Sequence, residues 1–213
     1  MLLKKERDEI VRFGNKLLTA NLTTGTGGNL SIMNRQEKYI AISPSGVEYT
    51  EMQAEDVVIL DGDGQIAEGD RKPSSELNFH LALYRKRPEI TAVVHTHSVY
   101  ATTVACLHRE LPAVHYLVGF SGKKVPLAPY ATFGTEELAR SVAENIADYH
   151  ALLLANHGLV AVGHNIAHAF AVAEEIELVA RIWYQTRCAG GGRIIPDEEM
   201  DRVLEKFKTY GQQ

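Results

Sequence analysis

Two short apolar runs in this chain each break off at histidine, and that pairing restricts how it can fold. Residues 91–94 run directly into His95-Thr96-His97, and residues 151–154 run into Asn156-His157-Gly158. Side chains alternate along a strand, so positions i and i+2 face one side, and imidazoles one residue apart can converge on a single ion at a strand end. A second strand leading to His157 can supply a third imidazole from a neighbouring part of the sheet. Three histidines leave a coordination position open, whereas a closed structural zinc site wants a fourth permanent ligand, so the pattern points to a catalytic ion.

The surrounding sequence mixes helical and extended periods. Ile10, Phe13, Leu17 and Leu18 recur at helical spacing, ending at the polar stretch 21–29. Residues 37–43 and 56–60 carry the β-branched and aromatic residues of strands, and Asp61-Gly62-Asp63-Gly64 reads as a hairpin turn into 65–68. Leu77, His80, Leu81 and Tyr84 fall at i, i+3, i+4 and i+7, predicting a helix capped by Ser74 or Ser75. An extended stretch is expected through Pro112 and Pro129. Further helices are expected around 100–107, 135–148 and 166–185, and from a cap at Asp197 beyond the Gly190-Gly191-Gly192 break. With 213 residues, 45% of them hydrophobic, and no linker or repeat, this is one layered α/β domain spanning 1–213.

Charge narrows the partners. Twenty-two basic against 27 acidic side chains leave a net −5, so no basic field exists to hold nucleic acid or an anionic membrane. The charged N-terminus lacks the apolar core of an export signal, and the apolar stretch 151–162, interrupted by Asn156 and His157, is too short to span a bilayer. Cys106 and Cys188 form neither a disulfide framework nor metal-finger spacing and read as packing residues of a cytoplasmic protein. An anionic substrate must therefore be held by a local device.

Several segments suit such a device. Gly25-Thr26-Gly27-Gly28-Asn29 lets backbone N–H groups turn toward an anion, and Ser45-Gly46 with Ser74-Ser75 adds hydroxyl and N–H donors. Each also reads as an ordinary turn or helix cap. Glu76, at the start of the predicted second helix, has two readings as well: an acidic residue favouring the helix dipole, or a base beside the metal.

In this order, Gly25-Thr26-Gly27-Gly28-Asn29-Leu30-Ser31, Ser43-Pro44-Ser45-Gly46, Pro73-Ser74-Ser75-Glu76, His95-Thr96-His97 and Asn156-His157-Gly158 resemble the class II aldolase/adducin family. Longer strings at 111–116, 128–135 and 204–211 strengthen the match, which spans almost the whole chain. The resemblance implies a three-layer α/β/α domain with a largely antiparallel central sheet. It also implies a homotetramer with active sites at subunit interfaces and one Zn²⁺ per subunit. Carried over by position, it makes Glu76, His95, His97 and His157 the zinc site, with Glu76 also the acid/base. Gly28, Asn29, Ser45, Gly46, Ser74 and Ser75 become the phosphate cradle, and Tyr116, Phe133 and Tyr210 border an aldehyde site. Position 45 carries serine where threonine is expected, which keeps the hydroxyl.

The activity implied is reversible cleavage of a sugar phosphate, L-fuculose 1-phosphate on the longest strings, to dihydroxyacetone phosphate and L-lactaldehyde. Zinc then replaces a Schiff base, in keeping with Lys123, Lys124, Lys206 and Lys208, which lie in polar stretches. Other members implied by the resemblance are an L-ribulose-5-phosphate 4-epimerase, whose pattern carries aspartate where Glu76 stands, and a methylthio-sugar-phosphate dehydratase. A non-catalytic adducin-like interaction module is the remaining alternative; it would be favoured by loss of the histidines, and all three are present.

Overall fold

Side chains alternating between the two faces of continuously buried central strands fall into two separate cores. The computed structural model describes residues 1–209 and contains β1 (Asn29–Asn34), β2 (Tyr39–Ile42), β3 (Val58–Leu60) and β4 (Ile66–Glu68), followed by β5 (Ala92–Thr96), β6 (Leu127–Ala128), β7 (Ala151–Leu154) and β8 (Gly158–Gly163). They form one sheet in the order β4-β3-β2-β1-β5-β8-β7-β6. Every neighbouring pair is antiparallel except β6 with β7.

One face presents Leu30, Ile32, Val94 and Ala161 to α1 (Lys4–Thr19), α3 (Val99–Cys106), α5 (Ile166–Cys188) and α6 (Asp197–Phe207). The other presents Ile42, Val58, Val93 and Val160 to α2 (Leu77–Lys86) and α4 (Glu136–Asn145). The expected α/β/α layering and largely antiparallel sheet are found. Fully burying one such aliphatic side chain stabilises by roughly 1.5–3 kcal/mol. A one-residue slip of β5 would exchange Val93 with Val94 and turn His95 to the opposite face, so the two cores that hold the register also aim the histidine.

Several elements depart from the sequence expectation. β1 starts inside what reads as a polar turn, because its Asn29 and Ser31 are buried polar residues rather than loop residues. β8 was hidden in the apolar stretch after 154; a turn at 155–157 folds it back onto β7. The 112–129 stretch contains a 3-10 turn at Tyr116–Phe120 and the short β6. The N-cap of α2 is Glu76 rather than Ser74 or Ser75, and its side chain makes no capping bond. Asp197 is the first residue of α6, with Pro196 at the cap. Cys106 and Cys188 are exposed, not packed inside, since each is the last residue of its helix. Among the described residues no helix is long and apolar enough to cross a membrane.

Candidate metal centre

β5 lies against β8, and that pairing brings the two histidine-bearing segments together. His95 is fully buried at the end of β5, with Nδ1 2.9 Å from the Leu159 carbonyl of β8. A carbonyl only accepts, so Nδ1 carries the ring proton and Nε2 offers its lone pair to the site. His97 follows β5, its Nε2 3.0 Å from that of His95. His157 comes from the β7–β8 turn, its ring centroid 4.8 Å from His95 and 5.3 Å from His97.

Glu76 completes the group. Its Oε2 lies 3.2 Å from His95 Nε2 and its Oε1 3.3 Å from His157 Nε2. One potential ligand atom from each of the four residues falls within 4.8 Å of the others. Oε1 is buried and in hydrogen-bond geometry with no described group. An orphaned carboxylate oxygen and an imidazole lone pair aimed at one place fit a divalent cation, and three imidazoles with one carboxylate are a donor set it binds well.

The electrostatics keep Glu76, His97 and His157 in ligating form. Burial pushes the Glu76 carboxyl up, but His95, His157 and the Asn29 amide together outweigh it and hold the acid well below the usual carboxylate range. Burial, with repulsion from neighbouring imidazoles, pushes His97 and His157 down to about 4. At neutral pH the carboxylate is therefore anionic and these imidazoles neutral.

Close backbone approach explains two glycines here. Gly28 has φ +72°, and a Cβ on it would sit 2.5 Å from the His95 carbonyl oxygen. A Cβ on Gly158 would lie 2.3 Å from the Thr96 carbonyl oxygen and 3.1 Å from the His97 ring. Any side chain at either position would force the histidine segment away.

A cavity of about 390 Å³ opens in front of this group. Gly28, Asn29, Ser45, Gly46, Ser74 and Ser75 line it together with Glu76, His97 and His157, so the sequence-predicted cradle and metal group share one space. The cradle differs in detail from expectation. The N–H groups of Ser45 and Ser74 bond to the carbonyls of Lys72 and Ser43, so these two amides are not free donors. Asn29 donates from Nδ2 to Glu76 Oε2 at 2.9 Å, while its Oδ1 lies 2.6 Å from His80 Nε2. Its side chain is thus engaged chiefly with the carboxylate.

Phe133 lines the cavity and is 66% exposed. Tyr130 beside it was not singled out from sequence; its signal was an aromatic next to Pro129 in an extended segment. Tyr116 lies outside this lining, its ring 6.3 Å from that of Phe207 on α6, and Tyr210 lies outside the described residues. His80 was also missed as a site residue; its signal was a titratable side chain on the buried stripe of α2. Lys123 and Lys124 pair with Asp201 and Glu110, contacts that raise their amines above the usual lysine range and disfavour imine chemistry.

Comparison with known proteins agrees with this geometry. Residues 8–184 match the family described as Class II Aldolase and Adducin N-terminal domain. A 5-deoxy-D-ribulose 1-phosphate aldolase from Bacillus thuringiensis serovar kurstaki is 57% identical over 213 residues, covering 100% of both chains. An L-fuculose phosphate aldolase from Escherichia coli K12 is 42% identical over 192 residues, 89% of this chain and 88% of that one. A solved L-fuculose 1-phosphate aldolase superposes with a TM-score of 0.94 at 44% identity, covering 96% of each chain. The chain belongs to the class II aldolase and adducin family, among its aldolases.

Proposed function

We propose that this protein cleaves a 1-phosphorylated deoxyketose, reversibly, to dihydroxyacetone phosphate and a short aldehyde, using Zn²⁺ held by His95, His97, His157 and Glu76. The observation carrying this reading is the Glu76–histidine group at the wall of a cavity that also holds the Ser45-Gly46 and Ser74-Ser75 segments. When bound, the ion supplies Lewis-acid stabilisation of charge developing at the substrate ketone. Glu76 takes a proton from the hydroxymethyl carbon of dihydroxyacetone phosphate in the condensation direction and returns it to that carbon in cleavage. The Ser45 and Ser75 hydroxyls hold the phosphate, with Gly28 and Gly46 allowing close approach, in a chain whose net charge of −5 gives no general attraction.

The aldehyde end falls to the aromatic rim at Tyr130 and Phe133, which suits a methyl-terminated fragment. Tyr116 and Tyr210 serve that end from a neighbouring subunit of a homotetramer, consistent with the exposure of Tyr116 and its place outside its own cavity. The protein acts in the cytoplasm, where a sugar phosphate is available to it.

The 57% full-length identity favours 5-deoxy-D-ribulose 1-phosphate, which would yield acetaldehyde. L-fuculose 1-phosphate, yielding L-lactaldehyde, is the second reading, favoured by the TM-score of 0.94. Assaying the two ketose phosphates separately and comparing kcat/KM for dihydroxyacetone phosphate release decides between them; the deoxyribulose ester should have the higher value. Release from neither, with epimerisation of L-ribulose 5-phosphate instead, would overturn the aldolase reading.

A further inference from the structure

Behind the Glu76 carboxylate runs a line of buried polar side chains that bond-making and bond-breaking do not require. Asn29 Nδ2 donates to Glu76 Oε2, and Asn29 Oδ1 meets His80 Nε2 at 2.6 Å. His80 Nδ1 lies 2.6 Å from Ser31 Oγ, and Ser31 Oγ lies 2.7 Å from the Tyr84 hydroxyl. Ser31 and His80 are 0% exposed, Tyr84 3% and Asn29 4%.

The carboxylate fixes the direction of every link. An ionised carboxylate only accepts, so the Asn29 amide must turn its NH₂ to Glu76 and its carbonyl to His80. That carbonyl also only accepts, so His80 Nε2 carries the ring proton and Nδ1 remains an acceptor. The Ser31 hydroxyl then donates to Nδ1, and its oxygen accepts from Tyr84. Burial pushes His80 down to about 3 and the Tyr84 phenol up, so the ring stays neutral and the phenol stays a donor. Reversing one link leaves the next with two donors or two acceptors facing each other.

We propose that His80 is a positioning residue: by donating to Asn29 Oδ1 it locks the amide so that an N–H faces Glu76, and so holds the carboxylate at the angle proton transfer needs. Four polar side chains between hydrophobic layers are costly unless fully bonded, and apolar residues would fill the same space without that cost. Their connection to Glu76 gives the arrangement a use, because reacting groups lose rate steeply when displaced by ~1 Å. The proposal rests on Glu76 acting as the base.

The test uses the metal-loaded protein and the exchange of dihydroxyacetone phosphate hydrogen with solvent, in His80→Leu, His80→Gln, Asn29→Ala and the Asn29→Ala/His80→Leu double variant. His80→Leu should slow exchange by roughly 10–100-fold, the loss typical of removing an outer-shell partner, while KM and bound metal stay near wild type. Gln can donate to Asn29 and accept from Ser31, so His80→Gln should recover most of the rate. The double variant should be no slower than Asn29→Ala alone, because His80 acts through Asn29. Nitrogen-15 spectra of the wild type should show His80 as the Nε2–H tautomer, a readout that stands even if the leucine variant fails to fold. An Nδ1–H tautomer, additive losses in the double variant, or undiminished exchange in a folded His80→Leu protein would each overturn the proposal. Glu76→Gln separates the two failures: if it leaves exchange intact, the base assignment fails first; if it abolishes exchange while His80→Leu does not, only the positioning role falls.

Discussion

Strands β7 and β8 carry a histidine cluster at each end, and among the described residues only one of the two is arranged so that it could hold a metal ion. At the turn end, His157 meets His95, His97 and Glu76, with one ligand atom from each within 4.8 Å of the rest. At the opposite end, His150 precedes β7, His164 follows β8 and His168 lies in the first turn of α5. The His164 and His168 rings stack at 4.5 Å and His150 meets His168 edge-on at 5.4 Å. The Nδ1 atoms of His150 and His168 are buried and have no hydrogen-bond partner among the described residues. What differs is what surrounds the rings. The first cluster has a carboxylate in its midst and a backbone carbonyl that fixes the His95 tautomer, whereas among the described residues no carboxylate joins the second cluster's rings in a ligating group. Clustered histidines alone do not specify an ion; fixed lone pairs and a nearby anion do.

Substitution should separate the two ends most sharply in metal content. His95→Ala should lose bound metal and reduce aldol cleavage to background, while His168→Ala should keep both, as measured by elemental analysis and turnover on the same preparations. Next in size, Glu76→Gln should slow hydrogen exchange on dihydroxyacetone phosphate by ~10²–10⁴-fold without unfolding the chain, the usual loss when a general base is removed. An unchanged rate would return Glu76 to the role of an acidic helix-start residue. Ser75→Asp should raise KM for dihydroxyacetone phosphate by roughly tenfold or more, since ~1.4 kcal/mol of added repulsion is a factor of ten. A phosphate-free analogue should be affected much less, and equal losses would point to a damaged helix start.

A separate effect is expected on acid stability, and it comes from histidines outside the candidate metal group. Burial holds His80 at about 3 and His168 at about 4 in the folded protein, against 6.5 for the free side chain. Between those values the unfolded chain binds more protons, so the stability present above pH 6.5 is lost as pH falls toward 4 and then 3. Denaturant unfolding at pH 7 and pH 5 should show the decrease, and His168→Gln should make it shallower.

The histidines of the candidate metal group were legible in the sequence because their logic is local. The spacing of His95 and His97 and the histidine after an apolar strand carry geometric information without knowledge of the sheet. Helices such as α2 were legible from period-3.6 stripes like Leu77, His80, Leu81 and Tyr84, whereas the α/β/α layering came from the resemblance. What escaped depended on contacts distant in the chain. Asn29 looked like part of a glycine turn, but its side chain bonds to Glu76 and His80, 47 and 51 residues away. β1 was obscured for the same reason, since its buried polar residues break the apolar alternation by which strands are recognised. Glu76 could be read as a helix-dipole residue until the fold showed its carboxylate turned to the imidazoles.

The most direct test of the central claim is metal removal and return. Treating the purified protein with a chelator, then titrating Zn²⁺ while following both bound metal and cleavage of 5-deoxy-D-ribulose 1-phosphate, should show activity lost on stripping and restored at one ion per chain, with His95→Ala unresponsive. Full cleavage activity in metal-free protein would contradict the account.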